Sequence, residues 1–126
     1  MGQTLLNISS PVNEFLWTDT LIGGAVQTAK GSSAVCFYIN LDNTSNVSPV
    51  FLKVYDALQS TIVVGTSGPD LIFKGLAGKM NSFILYTGSE FGFTFDNGIS
   101  LACTTQPGTQ GTTSPINPVK VVVAFV

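Results

Sequence analysis

The stretch "SAVCFYINL", from Ser33 to Leu41, carries an apolar side chain at every second position. Val35, Phe37, Ile39 and Leu41 form one set, and the residues between them form the other. Successive side chains of a β-strand point to opposite faces, so a period of two is typical of a strand that buries one face. We therefore predict a strand here, with these four residues on the same side.

The same pattern recurs on both sides of this stretch. Short apolar runs alternate with turn signals at a spacing of about 8–12 residues, which is typical of a β-sandwich. The other predicted strands lie in "IGGAVQTAK", "VFLKVYDAL", "DLIFKGL", "NSFILY", "FGFTF", "ISLACTT" and "PVKVVVAFV". We predict an all-β chain that forms a single-domain antiparallel β-sandwich, jelly-roll-like, with about eight strands.

The alternation also predicts a core and a turn. In "FGFTF", we expect Phe91, Phe93 and Phe95 on one face. The following Asp96-Asn97-Gly98 predicts a tight hairpin, because Asn-Gly accepts the positive φ of such a turn. The residues that we expect largely in the core are Phe93, Phe95, Ile99, Leu101, Val121 and Val123.

Two parts of the 126-residue chain fall outside the strand rhythm. Residues 1–20 are a mixed segment, and residues 104–118 are a polar stretch rich in Gly, Pro and Thr. The second stretch predicts either a flexible surface loop or an extended contact arm. We therefore divide the chain into an N-terminal segment or arm, residues 1–20, and a β-sandwich domain, residues 21–126.

The N-terminal segment has too much apolar surface to be left in water. Such a segment is usually tied down, either on its own sandwich or on a neighbouring subunit. We expect an arm that reaches a neighbour, because aromatic residues often dominate the energy of an interface. The predicted contact residues are Leu5, Leu6, Phe15, Leu16 and Trp17.

The composition excludes several classes of function. Only 10% of the residues are charged, whereas a soluble domain usually has about 25%. All five basic residues are lysines, histidine is absent and the net charge is -2, so we expect no nucleic-acid partner. Catalysis by Ser-His-Asp or Cys-His is excluded by the missing histidine. No apolar run approaches the ~18 residues of a membrane span, so we expect no membrane partner.

Lys53, Tyr55 and Asp56 are the most suggestive group of polar residues. On a strand, Lys53 and Tyr55 point the same way and Asp56 points to the opposite face. A lysine that acts as a base needs a lowered pKa, through burial or a cationic neighbour. We predict instead a strand with its polar face outward that ends in a turn at Asp56, and we expect no catalytic residue.

Other candidates also favour structural roles. Asp42, Asn43 and Asn46 could offer oxygens to Ca²⁺, but they lack the spacing of a calcium loop and predict a turn. For Cys36 and Cys103 we predict two buried, reduced thiols, and one disulfide between them is the alternative. We therefore expect no metal site and no cofactor. Four aromatic residues could stack on sugars, but such residues more often serve in a core or a subunit contact; they are Trp17, Tyr38, Tyr55 and Tyr86.

Three motifs follow one another between Ile22 and Val126: "FYINLDNTSN", then "FLKVYDALQSTIVVGTSGPDLIF", then "GFTFDNGISLACTT" before a Thr/Gly-rich loop and a valine-rich last strand. Each motif alone consists of ordinary strand and turn residues. In this order, they resemble the small β-sandwich virion proteins of tailed bacteriophages, which serve as capsid decoration (cement) or tail accessory proteins.

The resemblance implies a non-enzymatic structural protein of a bacteriophage. The expected role is a capsid decoration protein that stabilises the shell by bridging major capsid subunits, with a homotrimer expected by analogy. The alternative is a tail or neck accessory or receptor-binding protein that recognises host surface glycans. The first residues lack the regions of a signal peptide, so we expect assembly into the virion in the host cytoplasm. A carbohydrate-active enzyme is disfavoured, because almost all acidic residues fall in predicted turns.

Overall fold

The fold of residues 16–126 is described from a computed structural model, with side chains described from Ile22 onward. These residues form antiparallel strands, a 3-10 turn at Gln59–Thr61 and no α-helix. The strands are β1 (Leu16–Ile22), β2 (Gln27–Lys30), β3 (Ala34–Asp42), β4 (Val50–Tyr55), β5 (Leu71–Gly75), β6 (Met80–Ile84), β7 (Tyr86–Thr87), β8 (Glu90–Phe91), β9 (Phe93–Phe95), β10 (Ile99–Thr104) and β11 (Val119–Phe125). The predicted all-β class is confirmed.

The longer strands pair in a nested order. β1 pairs with β11, β2 with β10, β3 with β6 and β4 with β5, all antiparallel. The result is two sheets: sheet A has the order β1-β11-β3-β6, with β9 also on β3, and sheet B has the order β2-β10-β4-β5. A separate two-stranded ribbon joins β7 to β8. The chain therefore folds as one long hairpin whose two arms are distributed over both sheets.

The core lies between the two sheets. In β11, Val119, Val121, Val123 and Phe125 are buried and the residues between them are more exposed, as the alternation predicts. Of the six predicted core residues, five are buried, and Phe93 is partly buried and packs against the core. In β10 every residue is buried, because loops also cover the outer face of sheet B.

The prediction for β3 is wrong in its first half. Ile39 and Leu41 are buried, but Cys36 takes the buried position in place of Val35 and Phe37. The register between β3 and β11 skips Phe37, which is the mark of a β-bulge. A bulge adds one residue to one strand, so the alternation changes phase there and Phe37 leaves the core.

Gly92 breaks the predicted single face of "FGFTF". Its φ is 105°, and a Cβ at this position would lie 2.5 Å from Val35 Cγ1. The chain therefore changes direction at Gly92, which leaves Phe95 fully buried and Phe91 exposed in the small ribbon. The prediction that Phe91 shares a face with Phe93 and Phe95 does not hold.

The turn at residues 96–98 is present, but it does not close a hairpin. β9 belongs to sheet A and β10 to sheet B, so the turn carries the chain from one sheet to the other. Gly98 has a φ of 149°, and a Cβ there would lie 2.7 Å from the Lys30 carbonyl oxygen. Glycine is therefore required for this close approach as well as for its backbone conformation.

The N-terminal segment overlaps the first strand. Residues 16–20 lie in β1, where Leu16 is opposite Ala124 and Trp17 is opposite Val123. The sandwich thus extends to Leu16, five residues before the predicted boundary at residue 21. The other predicted contact residues lie outside the described residues, and their role stays a prediction; they are Leu5, Leu6 and Phe15.

Candidate interaction site

Lys53 lies on the outer face of sheet B, but it is buried there, so the prediction that this polar face is exposed is wrong. Its exposed fraction is 0%, and its Nζ donates hydrogen bonds to the carbonyl oxygens of Gly108 at 2.7 Å and Gly111 at 2.8 Å. The loop before β11 folds over this face of sheet B and supplies both carbonyls. Burial lowers the pKa of the Lys53 ammonium. The Lys53 side chain thus holds the loop before β11 against sheet B through these two hydrogen bonds.

The loop of residues 105–118 is tied down at several other points. Thr105 N donates to the Thr113 carbonyl at 2.9 Å, and Gly24 N donates to Ser114 Oγ at 3.0 Å. Asn117 N donates to Asn46 Oδ1 at 2.9 Å. The loop therefore lies on its own domain and does not extend from it as the contact arm that was one of the two predictions.

The side chains of Lys53, Tyr55 and Asp56 have three different environments. The Asp56 carboxylate accepts hydrogen bonds from the N–H groups of Asp96 at 3.1 Å and Asn97 at 2.8 Å, so it holds the turn between the sheets. The Tyr55 hydroxyl is buried and has no hydrogen-bond partner within the described residues. Burial raises its pKa. The arrangement is structural and does not form an acid–base pair.

The turn predicted at Asp42, Asn43 and Asn46 is confirmed. Asp42 Oδ1 accepts hydrogen bonds from Thr44 N at 3.0 Å and Thr44 Oγ1 at 2.6 Å, and these bonds lower the pKa of the carboxyl group. Asn46 Nδ2 donates to the buried Asn43 Oδ1 at 2.8 Å. The side-chain oxygens are thus used in hydrogen bonds that hold the turn. Among the residues with described side chains, no group of three His, Cys, Asp or Glu could hold a metal ion.

Cys36 and Cys103 are both buried and free, as predicted. Burial raises the pKa of the Cys36 thiol to about 11 and that of the Cys103 thiol to about 12. Reactive cysteines need an accessible thiolate at the working pH. These two thiols therefore behave as small apolar core residues.

Apolar side chains lie at and after the end of β6, next to Phe37 of β3. We call this group the aromatic patch: the half-buried Phe37 and the exposed Ile84, Tyr86 and Phe91. The exposed fractions are 62% for Ile84, 62% for Tyr86 and 56% for Phe91. The Phe91 ring centroid lies 5.3 Å from that of Phe37 and 5.5 Å from that of Tyr86. The three rings form a continuous apolar area in which Tyr86 and Phe91 are exposed.

Local backbone features build the aromatic patch. The bulge in β3 turns Phe37 out of the core, and the β7–β8 ribbon sets Tyr86 opposite Phe91. Thr87 Oγ1 donates to the Gly92 carbonyl at 2.7 Å and holds the ribbon closed. The sequence pattern did not predict that Ile84 and Phe91 lie on the surface. The glycine at position 92 was the one signal that the strand pattern is interrupted after Phe91.

A second exposed apolar feature, the aliphatic tip, consists of Val47 and Ile116. Their exposed fractions are 91% and 90%. Between them lies a cavity of about 70 Å³ that is also lined by Val50 and Pro115. Cavities that hold organic ligands have about 300–1,000 Å³. The tip thus offers two protruding side chains for a contact, and its cavity is too small for a ligand.

The predicted sugar-stacking residues do not form one platform. Tyr55 is buried, whereas Tyr86 belongs to the aromatic patch. Tyr38 lies on β3, and its hydroxyl is 3.1 Å from Ser82 Oγ. For Trp17 only the backbone position in β1 is described.

Comparison of the chain with protein-family models, with curated proteins and with solved structures finds no match. Within residues 16–126, no helix has the length and apolar character that a bilayer crossing requires.

Proposed function

We propose that this protein is a non-enzymatic structural component of a bacteriophage virion. Its role is capsid decoration: it stabilises the shell by bridging major capsid subunits, as a homotrimer that assembles in the host cytoplasm. The observation that carries the proposal is the presence of two separate exposed apolar features, the aromatic patch and the aliphatic tip.

A bridging protein needs more than one contact surface. The aromatic patch includes Phe37 in the first half of β3, whereas Val47 of the aliphatic tip follows the end of this strand at Asp42. Single exposed apolar residues are common on monomers, but clustered ones mark contact surfaces. Contacts at two separate places on the sandwich would let one copy touch two neighbours.

The strand order supports the same proposal. The nested pairing of β1 with β11, β2 with β10, β3 with β6 and β4 with β5 fits a jelly roll, an architecture that occurs in viral capsid and lectin domains. A fold alone does not give a function. Together with the ordered motifs that resemble small phage virion proteins, it favours a role in the particle.

The copy number in purified virions tests the proposal. We would quantify this protein and the major capsid protein by mass spectrometry in particles of the phage that carries the gene. A copy number that matches the capsid lattice is the expected result. A few copies in each particle would favour the tail alternative, and complete absence from particles would overturn the proposal.

A second candidate function is receptor binding at the tail or neck. The exposed rings of Tyr86 and Phe91 favour it, because aromatic faces can stack on the sugars of host surface glycans. Glycan-array binding by the wild type that is lost in Tyr86→Ala would support this candidate. Absence of binding at all glycans would remove it.

The N-terminal segment remains the proposed oligomer contact. Because β1 begins at Leu16, deletion of residues 2–14 leaves the described strands intact. The deletion removes Leu5 and Leu6 but keeps Phe15, Leu16 and Trp17, so we expect the variant to keep the unfolding transition of the domain and to form a weaker trimer in native mass spectrometry. A trimer of unchanged stability would exclude Leu5 and Leu6 from the contact, and a chain that no longer folds would place the deleted segment in the core.

A further inference from the structure

We propose that Asn97 is a site of spontaneous deamidation, where a side-chain amide becomes a carboxylate in the turn between the two sheets. The inference does not rest on the proposed function. Among the asparagines of the chain, Asn97 alone is followed by glycine. A following residue without a side chain gives its backbone nitrogen the easiest approach to the amide carbon.

The local geometry leaves the side-chain amide of Asn97 accessible, while Gly98, which supplies the attacking nitrogen, is buried behind it. Asn97 is exposed, and within residues 16–126 its side-chain amide makes no hydrogen bond. Its backbone N–H is held by Asp56 Oδ1 at 2.8 Å. The backbone nitrogen of Gly98 lies before Ile99, the first ladder residue of β10. Thus neither the amide side chain nor this nitrogen is part of the sheet.

The reaction is a substitution at the amide carbon of Asn97. The Gly98 nitrogen gives its proton to water or hydroxide and forms a bond to Cγ, and the side-chain nitrogen takes up a proton and leaves as ammonia. The product is a cyclic imide. A water molecule then opens either of its two C–N bonds, which yields aspartate or isoaspartate. No atom changes its oxidation state, and water is the only co-reactant.

The product would disturb the turn. Asp56 already holds the N–H groups of Asp96 and Asn97, so a carboxylate at position 97 adds a third negative charge at close range. Isoaspartate also adds a main-chain atom beside Gly98, where a Cβ would lie only 2.7 Å from the Lys30 carbonyl oxygen. We therefore expect deamidation to weaken the connection between sheet A and sheet B as the protein ages.

The test follows the full-length protein during incubation at mildly alkaline pH and physiological temperature. Peptide mass spectrometry should show loss of the amide at Asn97 while Asn81 keeps it. Asn81 is the internal control, because its Oδ1 accepts a hydrogen bond from Leu76 N at 3.0 Å and serine follows it. Asn97→Gln, whose side chain is longer by one methylene, should keep its amide over the same period.

A second arm measures the consequence. Asn97→Asp reproduces one product directly, and we expect its unfolding temperature to fall below that of the wild type. If the amide at Asn97 persists in the native protein while it is lost in a urea-unfolded sample, the site does not react in the fold and the proposal is wrong. An unchanged unfolding temperature of Asn97→Asp would overturn the proposed effect on the turn.

Discussion

Replacement of Phe95 by alanine is expected to lower the free energy of unfolding by about 3–5 kcal/mol. Phe95 is 0% exposed and packs with its ring centroid 4.9 Å from that of Phe93. The truncation removes buried apolar surface and leaves a cavity in close-packed surroundings. Because a whole domain is stable by only about 5–15 kcal/mol, this loss is a large fraction of the total.

Phe91→Ala is the matched control, because it makes the same chemical change four residues earlier in the same motif. Phe91 is 56% exposed, so its truncation should cost less than about 1 kcal/mol. Urea unfolding of the two variants and the wild type measures both losses. A loss below 1 kcal/mol for Phe95→Ala, or equal losses for the two variants, would place the core elsewhere.

Replacement of Lys53 by methionine is expected to cost about 2–3 kcal/mol, because it removes the two hydrogen bonds that the Lys53 ammonium donates to the carbonyl oxygens of Gly108 and Gly111. Methionine keeps most of the length of the side chain, so packing along the stem changes little. Relief of a buried charge offsets part of the loss. Hydrogen exchange should also accelerate in residues 105–118, since the carbonyls of Gly108 and Gly111 lose their contact with the sheet.

Lys74→Met is the control for this change. Lys74 lies on the neighbouring strand β5, opposite Phe51, and its side chain is exposed. Its replacement should change stability by no more than about 0.5 kcal/mol. If Lys53→Met were equally neutral and exchange in the loop stayed slow, the hydrogen bonds of Lys53 would not be what holds this loop.

The period of two in the sequence was sufficient to predict most of the longer strands and most of the core, but it missed β1, which lies largely in the segment assigned to the arm. It works because alternating side chains face opposite sides of a sheet, as in β11, where Val121 and Val123 are buried as expected. It fails where the backbone itself changes phase. The bulge at Phe37 and the positive φ of Gly92 each shift the alternation of buried and exposed residues. A prediction from the period of two fails at these points because it assumes an unbroken strand.

The burial of Lys53 could not be predicted from its own strand. Alternation correctly separates it from the inner face, but it does not show what covers the outer face. That cover comes from residues more than fifty positions later, at Gly108 and Gly111. The aromatic patch was missed for a similar reason, because it combines Phe37 with residues of a distant ribbon. Such contacts depend on the tertiary arrangement of loops.

The most direct test of a structural role in the virion is a cryo-EM map of the intact particle. Our account predicts density for the sandwich on the capsid surface, with the aromatic patch and the aliphatic tip, Val47 and Ile116, each seated against a neighbouring subunit. Sandwich density confined to the tail, or a capsid copy whose two apolar features both face solvent, would contradict it.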